Sequence, residues 1–153
     1  MLLYLVQHGE AKSEREDPER GLTDKGRADV QKTALLTQNW KISTSALFHS
    51  NKTRALETAR IMADHLISKG FSGVDGLAPL DAPEIWADRI AAMNEDVMLV
   101  GHLPHLAKLA GLLLCGDREK MPVDFKMGGI VCLKRFDDGR WTLEWMVVPE
   151  MIR

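Results

Sequence analysis

The sequence predicts one α/β domain of three layers, in which a mainly parallel sheet carries helices on both faces and ends in an antiparallel hairpin. Short apolar runs alternate along the chain with longer segments whose apolar residues recur at helical spacing. The runs at residues 1–6 and 97–101 contain almost no polar residue, as in strands that helices cover on both faces. Two β-type segments then flank an Asp-Gly turn. This order favours parallel strands joined by helices, followed by a hairpin.

Length and composition set the expectations for size, partners and location. The 153 residues, 45% of them hydrophobic, suffice for one core, and we expect a single domain over residues 1–153. With 20 Lys and Arg against 22 Asp and Glu, the net charge of −2 offers no general attraction for nucleic acid or an anionic membrane. The first apolar run is too short for a signal peptide or a membrane span, so we expect a cytoplasmic protein. Cys115 and Cys132 lie in apolar stretches and are expected as reduced core residues.

The first two strand-helix units are visible in residues 1–70. A buried strand over residues 1–6 leads into a charged surface loop at residues 12–20. Thr23 is a typical N-cap for a helix running to about Trp40. The inward residues of that helix are expected to be Val30, Ala34 and Leu35.

A second strand over residues 45–49 precedes the clearest helical periodicity in the chain. We expect this helix to continue until Gly70, which is typical of a residue just past a helix end. The apolar residues at three-and-four spacing are Ala55, Leu56, Ala59, Met62, Ala63, Leu66 and Ile67.

The second half of the chain repeats the alternation. Residues 71–80 indicate a loop with one weak strand, after which Asp81 is the expected cap of a helix with Pro83 in its first turn. A buried strand over residues 97–101 leads to a helix with Pro104 at its start and Gly116 just past its end. The inward residues of the first of these helices are expected to be Trp86, Ile90 and Met93.

The hairpin is predicted from residues 130–136 and 141–148, which flank the sequence Asp-Asp-Gly-Arg. Strict alternation in its second strand predicts that four apolar residues share one face. They are Trp141, Leu143, Trp145 and Val147.

Three histidines stand where predicted strands end. His8, His49 and His102 each precede a loop or a helix. In a parallel sheet the carboxyl ends of the strands meet at one edge, where ligand crevices form. A single histidine in such a place often only hydrogen-bonds a neighbouring carbonyl. Their common position nevertheless predicts a site.

Arg54 adds a cation to the same edge. If Ser50 caps the following helix, Arg54 is about one turn in, and its side chain leans back toward the helix N-terminus. A guanidinium there suits phosphate oxygens, and the helix end adds unpaired amide donors. The alternative is a solvated arginine paired with a nearby carboxylate. The position and the histidines favour an anion site.

Several ordered motifs resemble the histidine phosphatase superfamily, and within it the small SixA-type phosphohistidine phosphatases. The resemblance runs from residue 3 to about residue 114 and rests on "QHGEA", "DPERGLTDKG", "HSNKTRALETA", "LDAPE" and "LVGHLP". It implies a phosphoryl-enzyme mechanism without a metal or other cofactor. In that mechanism His8 is the nucleophile, Arg54 grips the phosphoryl oxygens, and His102 donates hydrogen bonds to the same group.

The resemblance also implies a substrate. A phosphohistidine on a protein is expected, with phosphate or a similar anion in the pocket and Gln7 and Gly9 contacting it beside His8. An imidazole leaves more easily than an alkoxide, so a strong general acid is less necessary. Glu10, Asp81 and Glu84 are candidate acids. The sequence assigns none of them.

Gln7 departs from the family pattern, which usually has arginine before the nucleophilic histidine. Glutamine donates amide hydrogen bonds but lacks the charge and the fork of arginine. Losing one charged donor costs on the order of 2 to 4 kcal/mol of transition-state stabilisation, by analogy with an oxyanion donor. Compensating cations are conceivable on loops, although each is typical of a solvated residue. They are Lys12, Arg15 and Lys52.

The other two histidines near the predicted site have plainer interpretations. His49 is interpreted as structural or peripheral, because the family pattern gives it no fixed role. His105 follows His102 by three residues, a spacing that zinc sites use, but no carboxylate or cysteine completes a ligand set. We therefore expect no metal site.

Three functions remain open. The first is hydrolysis of phosphohistidine, or of a related phosphoryl substrate, through His8. The second is a weakened or inactive relative that binds phosphorylated protein or an anion without turnover, with Gln7 as the cause. The third is a phosphatase or mutase for small phosphate esters, whose members usually carry longer insertions over the substrate. The short chain leaves no room for such an insertion and favours a protein substrate.

Overall fold

The computed structural model describes residues 1–153 as eight strands, four α-helices and one 3-10 helix. The strands are β1 (Leu2–Gln7), β2 (Ser43–Thr44), β3 (Ala46–Ser50), β4 (Ile67–Ser68), β5 (Phe71–Val74), β6 (Val97–Gly101), β7 (Ile130–Arg135) and β8 (Trp141–Val147). The helices are α1 (Asp24–Asn39), α2 (Thr53–Ala63), α3 (Pro83–Ala91) and α4 (His105–Cys115), and the 3-10 helix spans Pro149–Met151. No helix combines the length and the apolar character that crossing a bilayer requires.

Six strands form one sheet in the order β5-β3-β6-β1-β7-β8. The four strands from β5 to β1 are parallel, and β7 and β8 are antiparallel additions. The predicted α/β class, with a mainly parallel sheet and a hairpin after it, is confirmed. In the β1–β6 pair, Leu3 lies opposite Val97 and Gln7 lies opposite Gly101. The two central strands therefore end level with each other.

The sheet separates two apolar cores, and β1 contributes to both. Tyr4 and Val6 pack with α1 and α2 on one face, whereas Leu3 and Leu5 pack with α3 and α4 on the other. Successive side chains of a strand point to opposite faces, so a strand covered on both sides is apolar at every position. This explains the unbroken apolar run at the start of the sequence.

Helix α1 begins where predicted, but the prediction that Leu35 points into the core is wrong. The Thr23 side chain accepts a hydrogen bond from the Gly26 N–H at 2.9 Å. Leu35 is 49% exposed, whereas Thr33 and Thr37 are buried and donate their hydroxyls to carbonyls one turn earlier. The inward stripe follows positions 30, 33, 34 and 37, the spacing that one helix face requires. Leu35 lies just outside that stripe.

Helix α2 is shorter than predicted. It ends at Ala63 rather than near Gly70, because the following chain pairs with a neighbouring extended segment. Ile67 donates its backbone N–H to the Ile42 carbonyl at 3.2 Å and belongs to β4, which pairs with β2. Leu66 is buried as expected, but Ile67 is 62% exposed.

Two predicted N-caps are also wrong. Lys52 occupies the N-cap of α2 and Ala82 that of α3, and neither side chain caps its helix. The Ser50 hydroxyl instead lies against His102, and the Asp81 carboxylate accepts the Ala78 N–H at 2.9 Å. Both side chains found partners outside the helix end they were expected to cap.

The C-terminal end of α3 and the whole of α4 agree with the sequence pattern. Trp86 and Ile90 are buried, and Met93 packs on the same core although α3 ends before it. Gly116 follows α4 with φ of 69°, the left-handed conformation that favours glycine at a helix end.

A β-bulge breaks the predicted alternation of β8. Cys132 lies opposite Trp145 while the next residue, Leu133, lies opposite Leu143, so the pairing shifts by one residue. Trp141 consequently packs on the α3–α4 side and Trp145 on the α1–α2 side. Leu143 is 48% exposed. An extra residue in one strand reverses the faces beyond it, and the alternation carries no sign of this.

The cysteines are both free thiols. Cys132 is buried in the sheet, as expected, and burial raises its pKa to about 12. Cys115 is exposed at the end of α4, so its expected place in the core is wrong.

Candidate active site

His8 follows β1 and is fixed by backbone groups. Its N–H donates to the Gly101 carbonyl at 3.0 Å, which continues the pairing of β1 with β6. Its ring Nδ1 lies 2.7 Å from the Gly9 carbonyl oxygen. A carbonyl oxygen only accepts, so Nδ1 carries the proton and Nε2 holds a free lone pair. The ring is thereby oriented with a nucleophilic nitrogen.

Gly9 holds this turn against the helices. Its N–H donates to the Thr58 hydroxyl at 3.0 Å, and that hydroxyl donates to the Arg54 carbonyl at 2.8 Å. A Cβ on Gly9 would lie 2.8 Å from the Val30 side chain, so only glycine fits. Both backbone polar groups of Gly9 are therefore used inside the protein. Its predicted contact with substrate stays a prediction.

His102 stands beside His8 at the end of the neighbouring strand. The two ring centroids are 5.0 Å apart and the ring planes make an angle of 56°. His102 Nε2 lies 2.8 Å from the Ser50 hydroxyl, whereas the buried Nδ1 has no hydrogen-bond partner. The register of β1, β6 and β3 brings these side chains to one edge of the sheet.

Arg54 lies in the first turn of α2, half-buried and without an ion pair. The expected alternative of a surface arginine paired with a carboxylate is absent from the structure. Burial, and then the positive charge of Arg20, lowers the pKa of Arg54. The positive charge of Arg54 in turn acts on both His8 and His102. The guanidinium therefore shares the site with the two histidines.

Arg20 is a further cation of the site that sequence analysis did not single out. It is half-buried, and its charge lowers the pKa of both His8 and Arg54. Its backbone has φ of 53°, a conformation uncommon for residues other than glycine. Its Nε donates to the Lys12 carbonyl at 3.0 Å, so the side chain is tied across the loop. The motif "DPERGLTDKG" contains this arginine, but the sequence alone does not show that its side chain lies near the histidines.

The electrostatics of the site keep both histidines neutral. Burial, assisted by the charges of Arg54 and Arg20 and opposed by the Gly9 hydrogen bond, lowers the pKa of His8 to about 4. Burial and then the neighbouring His8, Arg54 and Lys52 lower the pKa of His102 to about 3. A cationic pocket without a paired carboxylate disfavours further protonation. The same surroundings attract an anion.

Gln7 is the last residue of β1 and is largely buried. Its backbone carbonyl accepts the Gly128 N–H at 2.9 Å, whereas its side-chain oxygen has no hydrogen-bond donor. An unpaired buried amide oxygen is uncommon in a folded protein. The structure therefore brings an unsatisfied polar group next to the predicted nucleophile.

The three candidate acids have different surroundings. The Glu10 carboxylate accepts the Thr23 hydroxyl at 2.7 Å and so supports the start of α1. Glu84 pairs with Arg118 at 3.1 Å on the surface. Asp81 lines a cleft of about 320 Å³ together with Ser50, Lys52 and other residues of the 50–52 and 74–81 segments. Of the three, only Asp81 lies in a cleft shared with a residue that contacts His102.

The remaining predicted cations lie around the opening. Lys12 is half-buried at the base of its loop, and Arg15 and Lys52 are exposed. The positive charge of Lys52 is one of the smaller causes that lower the pKa of His102. No interaction of this kind connects Lys12 or Arg15 with the histidines.

His49 and His105 do not join the two central histidines. His49 is buried, its Nδ1 lies 2.8 Å from the Ser50 carbonyl, and its ring packs on Phe71 at 4.9 Å between centroids. His105 is fully buried at the start of α4, and both of its ring nitrogens lack partners. Burial, more than any charge, lowers the pKa of His105. No group of three or more His, Cys, Asp or Glu is arranged to hold a metal ion.

Comparison with known sequences identifies the family. Residues 3–72 match the profile of the histidine phosphatase superfamily (branch 1). An uncharacterized protein of Picosynechococcus sp. is 31% identical over 141 residues, which cover 88% of this chain and 85% of the relative.

Solved structures share the fold over nearly the whole chain. A protein histidine phosphatase SixA complexed with tungstate superposes with a TM-score of 0.86 at 21% identity, over 99% of both chains. The alpha-ribazole phosphatase of Shigella flexneri gives 0.76 at 16% identity, over 97% of both chains. A phosphoserine phosphatase of Entamoeba histolytica, in complex with 3-phosphoglyceric acid, gives 0.71 at 17% identity, over 95% of both chains. With the His-Gly turn, the sheet order and the matching profile, the chain belongs to the histidine phosphatase superfamily.

Proposed function

We propose that the protein is a phosphohistidine phosphatase that removes a phosphoryl group from protein histidine through a covalent intermediate on His8. The observation that carries the proposal is the orientation of the His8 ring. Its Nδ1 is bonded to the Gly9 carbonyl, and its Nε2 is left free in a cationic pocket. A neutral imidazole with a fixed tautomer is a competent nucleophile at neutral pH.

Two displacements account for the reaction. In the first, the Nε2 lone pair of His8 forms a bond to phosphorus while the bond between phosphorus and the substrate nitrogen breaks. The leaving imidazole takes its electron pair and gains a proton from solvent. In the second, the oxygen of a water molecule forms a bond to phosphorus and the water gives a proton to solvent, while the bond to Nε2 breaks with its electron pair returning to the ring, and inorganic phosphate leaves. His8 returns to its starting form.

Arg54, Arg20 and His102 act on the charge of the transferring group. Phosphoryl transfer depends mainly on positioning and on cancelling the charge of the three equatorial oxygens. The two guanidiniums are positively charged and have no carboxylate partner in the site. Their charges are available to the oxygens of the phosphoryl group, and His102 supplies a neutral hydrogen-bond donor.

The open cleft beside the histidines favours a phosphorylated protein over a small ester. Only short connections follow β3 and β6 at this edge, at residues 51–52 and 102–104, and a cleft adjoins the end of β3 there. A side chain carried on a protein surface can enter such a crevice. The weak acid requirement of an imidazole leaving group also fits a site in which Asp81 is the one of the three candidate acids that lines the cleft.

Gln7 supports a second candidate, a domain that binds phosphorylated protein or an anion without turnover. An uncharged side chain stands where the family pattern has a charged donor, and its oxygen is unpaired. The loss of a positive charge that stabilises the transition state reduces the rate more than it reduces binding of the ground state. The two candidates differ in turnover and share the pocket. The third candidate, a small-ester phosphatase, differs from both in its substrate.

The test is turnover of a phosphohistidine-bearing protein in the presence of EDTA, with p-nitrophenyl phosphate as the ester probe. The native protein is expected to release phosphate from phosphohistidine faster than from the ester, and His8→Ala is expected to be inactive. His49→Ala, a nearby histidine outside the pair, is the matched control and should retain activity. Tungstate binding without turnover would favour the binding function, and preference for the ester would favour the third candidate.

A further inference from the structure

Ser50 is a buried hydroxyl next to the site that the reaction above does not use. It is the last residue of β3 and is 1% exposed. Its Oγ lies 2.8 Å from Nε2 of His102. The same oxygen accepts the backbone N–H of Lys52 at 3.3 Å. The hydroxyl is therefore placed between a backbone donor and an imidazole nitrogen.

The direction of the bond between Ser50 and His102 follows from counting donors and acceptors. If Nε2 carried the ring proton, it would donate to Oγ, and the hydroxyl proton of Ser50 would have no acceptor. Nδ1 would then be a buried lone pair without a donor. If Ser50 donates to Nε2, the hydroxyl is satisfied on both sides, and only the Nδ1–H waits for an acceptor. Unpaired buried groups are costly, so the second arrangement is favoured.

We propose that Ser50 is a positioning residue that fixes the tautomer of His102, holding the ring proton on Nδ1 as the donor for the phosphoryl oxygens. This inference rests on the proposed function, since it takes His102 to be a ligand of the phosphoryl group. A neutral imidazole offers either a proton or a lone pair at a given nitrogen. A lone pair at Nδ1 would repel an anionic oxygen, whereas an N–H stabilises it. Ser50 thereby decides whether His102 helps or opposes anion binding.

The arrangement also explains why Ser50 does not cap α2. A serine that caps a helix accepts N–H groups of the first helical turn. Here its acceptor side receives only the Lys52 N–H, and its proton serves the histidine. The Lys52 N–H bond orients the hydroxyl so that its proton points away from that donor. Ser50, the last residue of β3, is in this way tied to His102, which follows the neighbouring strand β6.

The direct test is the tautomer of His102 by proton–nitrogen correlation NMR on protein with ¹⁵N-labelled histidine, with the signals assigned through His102→Asn. The native protein is expected to show His102 with a protonated Nδ1 at neutral pH. Observation of a protonated Nε2 in the native protein would overturn the proposal. This measurement needs neither a substituted serine nor any turnover.

The second test compares variants for binding of inorganic tungstate and for turnover. Ser50→Ala removes the donor and is expected to weaken tungstate binding roughly tenfold, with His102 shifting toward the Nε2–H tautomer. Ser50→Thr keeps a hydroxyl and should retain the native tautomer and binding within about threefold. The matched control is Ser45→Ala, whose hydroxyl donates to the Asp96 carbonyl away from the site. Unchanged tautomer and unchanged tungstate binding in Ser50→Ala would contradict the proposal.

The outcomes separate this inference from the proposed function. If phosphohistidine is not turned over but tungstate binds and the tautomer depends on Ser50, the positioning role stands and the proposed reaction fails. If turnover is found and the tautomer does not depend on Ser50, the proposed reaction stands and the positioning role fails. Should Ser50→Ala unfold, the native tautomer and the Ser50→Thr variant still decide the question.

Discussion

Two arginines at opposite edges of the sheet have opposite surroundings. Arg135 ends β7 near the start of β1, and its guanidinium donates to the Ile90 carbonyl at 3.0 Å and to the Met93 carbonyl at 2.6 Å. It also packs over the Trp141 ring at 5.7 Å. Arg54, at the carboxyl edge, has no ion pair and shares its pocket with Arg20 and two neutral histidines. The Arg135 guanidinium is used by the fold, whereas the Arg54 guanidinium has no carboxylate partner.

The two arginines differ in whether their hydrogen-bond donors and charge are already paired inside the protein. A charged hydrogen bond to a buried carbonyl stabilises the folded state, so Arg135 contributes where its donors are used. Like charges held together without a counterion destabilise the folded state until an anion arrives. The unpaired positive charges in the pocket therefore lower the stability of the folded protein and raise its affinity for an anion.

Substituting each arginine gives the largest expected contrast. Arg54→Ala is expected to lower kcat/KM by a factor of about 100 to 1,000, because it removes a charged donor to the transferring group. Its free energy of unfolding should stay unchanged or rise slightly, because the repulsion with Arg20 is removed. Arg135→Ala should instead lose on the order of 1 to 3 kcal/mol of unfolding free energy and keep its activity.

Steady-state kinetics and urea unfolding of both variants check this pair. Arg54→Lys is the graded control: it keeps the charge but loses the fork and should fall between the native protein and Arg54→Ala. An Arg54→Ala protein that is less stable and fully active would reverse the roles assigned here.

Gln7→Arg tests whether the pocket lacks one charge. Restoring a charged donor beside His8 is expected to raise kcat/KM by up to about a hundredfold, the inverse of losing one such donor. Because the new charge adds to Arg54 and Arg20, the thermal midpoint should fall without an anion and recover when phosphate is added. Gln7→Met, which keeps the size and removes the amide, serves as the control. Equal rates for the native protein and Gln7→Arg would show that glutamine costs nothing.

Acid should destabilise the protein through its buried histidines. His8, His102 and His105 all have folded pKa values below the ordinary 6.5, with His8 at about 4 and His102 at about 3. As the pH falls below 6.5, the unfolded chain binds protons that the folded protein does not, so the free energy of unfolding decreases. The decrease should continue to about pH 3 to 4.

Chemical unfolding between pH 8 and pH 4 measures this slope. The double variant His8→Gln/His102→Gln is expected to show a shallower fall, since two of the three rings are gone. Saturating phosphate should also flatten the slope, because an anion favours the protonated rings in the folded state. A stability that stays constant over this range would contradict the lowered pKa values.

The sequence predicted most of the fold because its strands are covered on both sides. A strand such as β6, which has no polar side chain and ends at Gly101 just before His102, leaves few alternatives to a central parallel strand. His8, Arg54 and His102 were placed at one edge by the same reasoning. Two of the predictions that failed depend on pairings between distant residues. The β8 bulge is set by its partner strand, and α2 ends where β4 pairs with β2.

Arg20 and Ser50 show the same limit within the site. Arg20 lies in a charged loop without periodicity, and its direction depends on a left-handed backbone and on the Lys12 carbonyl. Ser50 looked like a helix cap because the sequence shows its neighbours in the chain but not His102 on the adjacent strand. Residue types predicted the kind of chemistry of the site. The contacts between elements show that Arg20 and Ser50 adjoin it as well.

We expect the smallest effect in the loop of residues 12–20, where the comparison concerns the mobility of the backbone rather than the pairing of side chains. Its base is closed by the Lys12 N–H on the Gly21 carbonyl at 2.9 Å, but most of the residues between are exposed. Hydrogen exchange should therefore be fast for residues 14–19 and slow for β7, which carries Arg135. Tungstate should slow exchange in the loop by a few-fold, because Arg20 gains a ligand. Arg20→Gln should abolish this dependence, and strong protection of the loop without any anion would show that the site is already rigid.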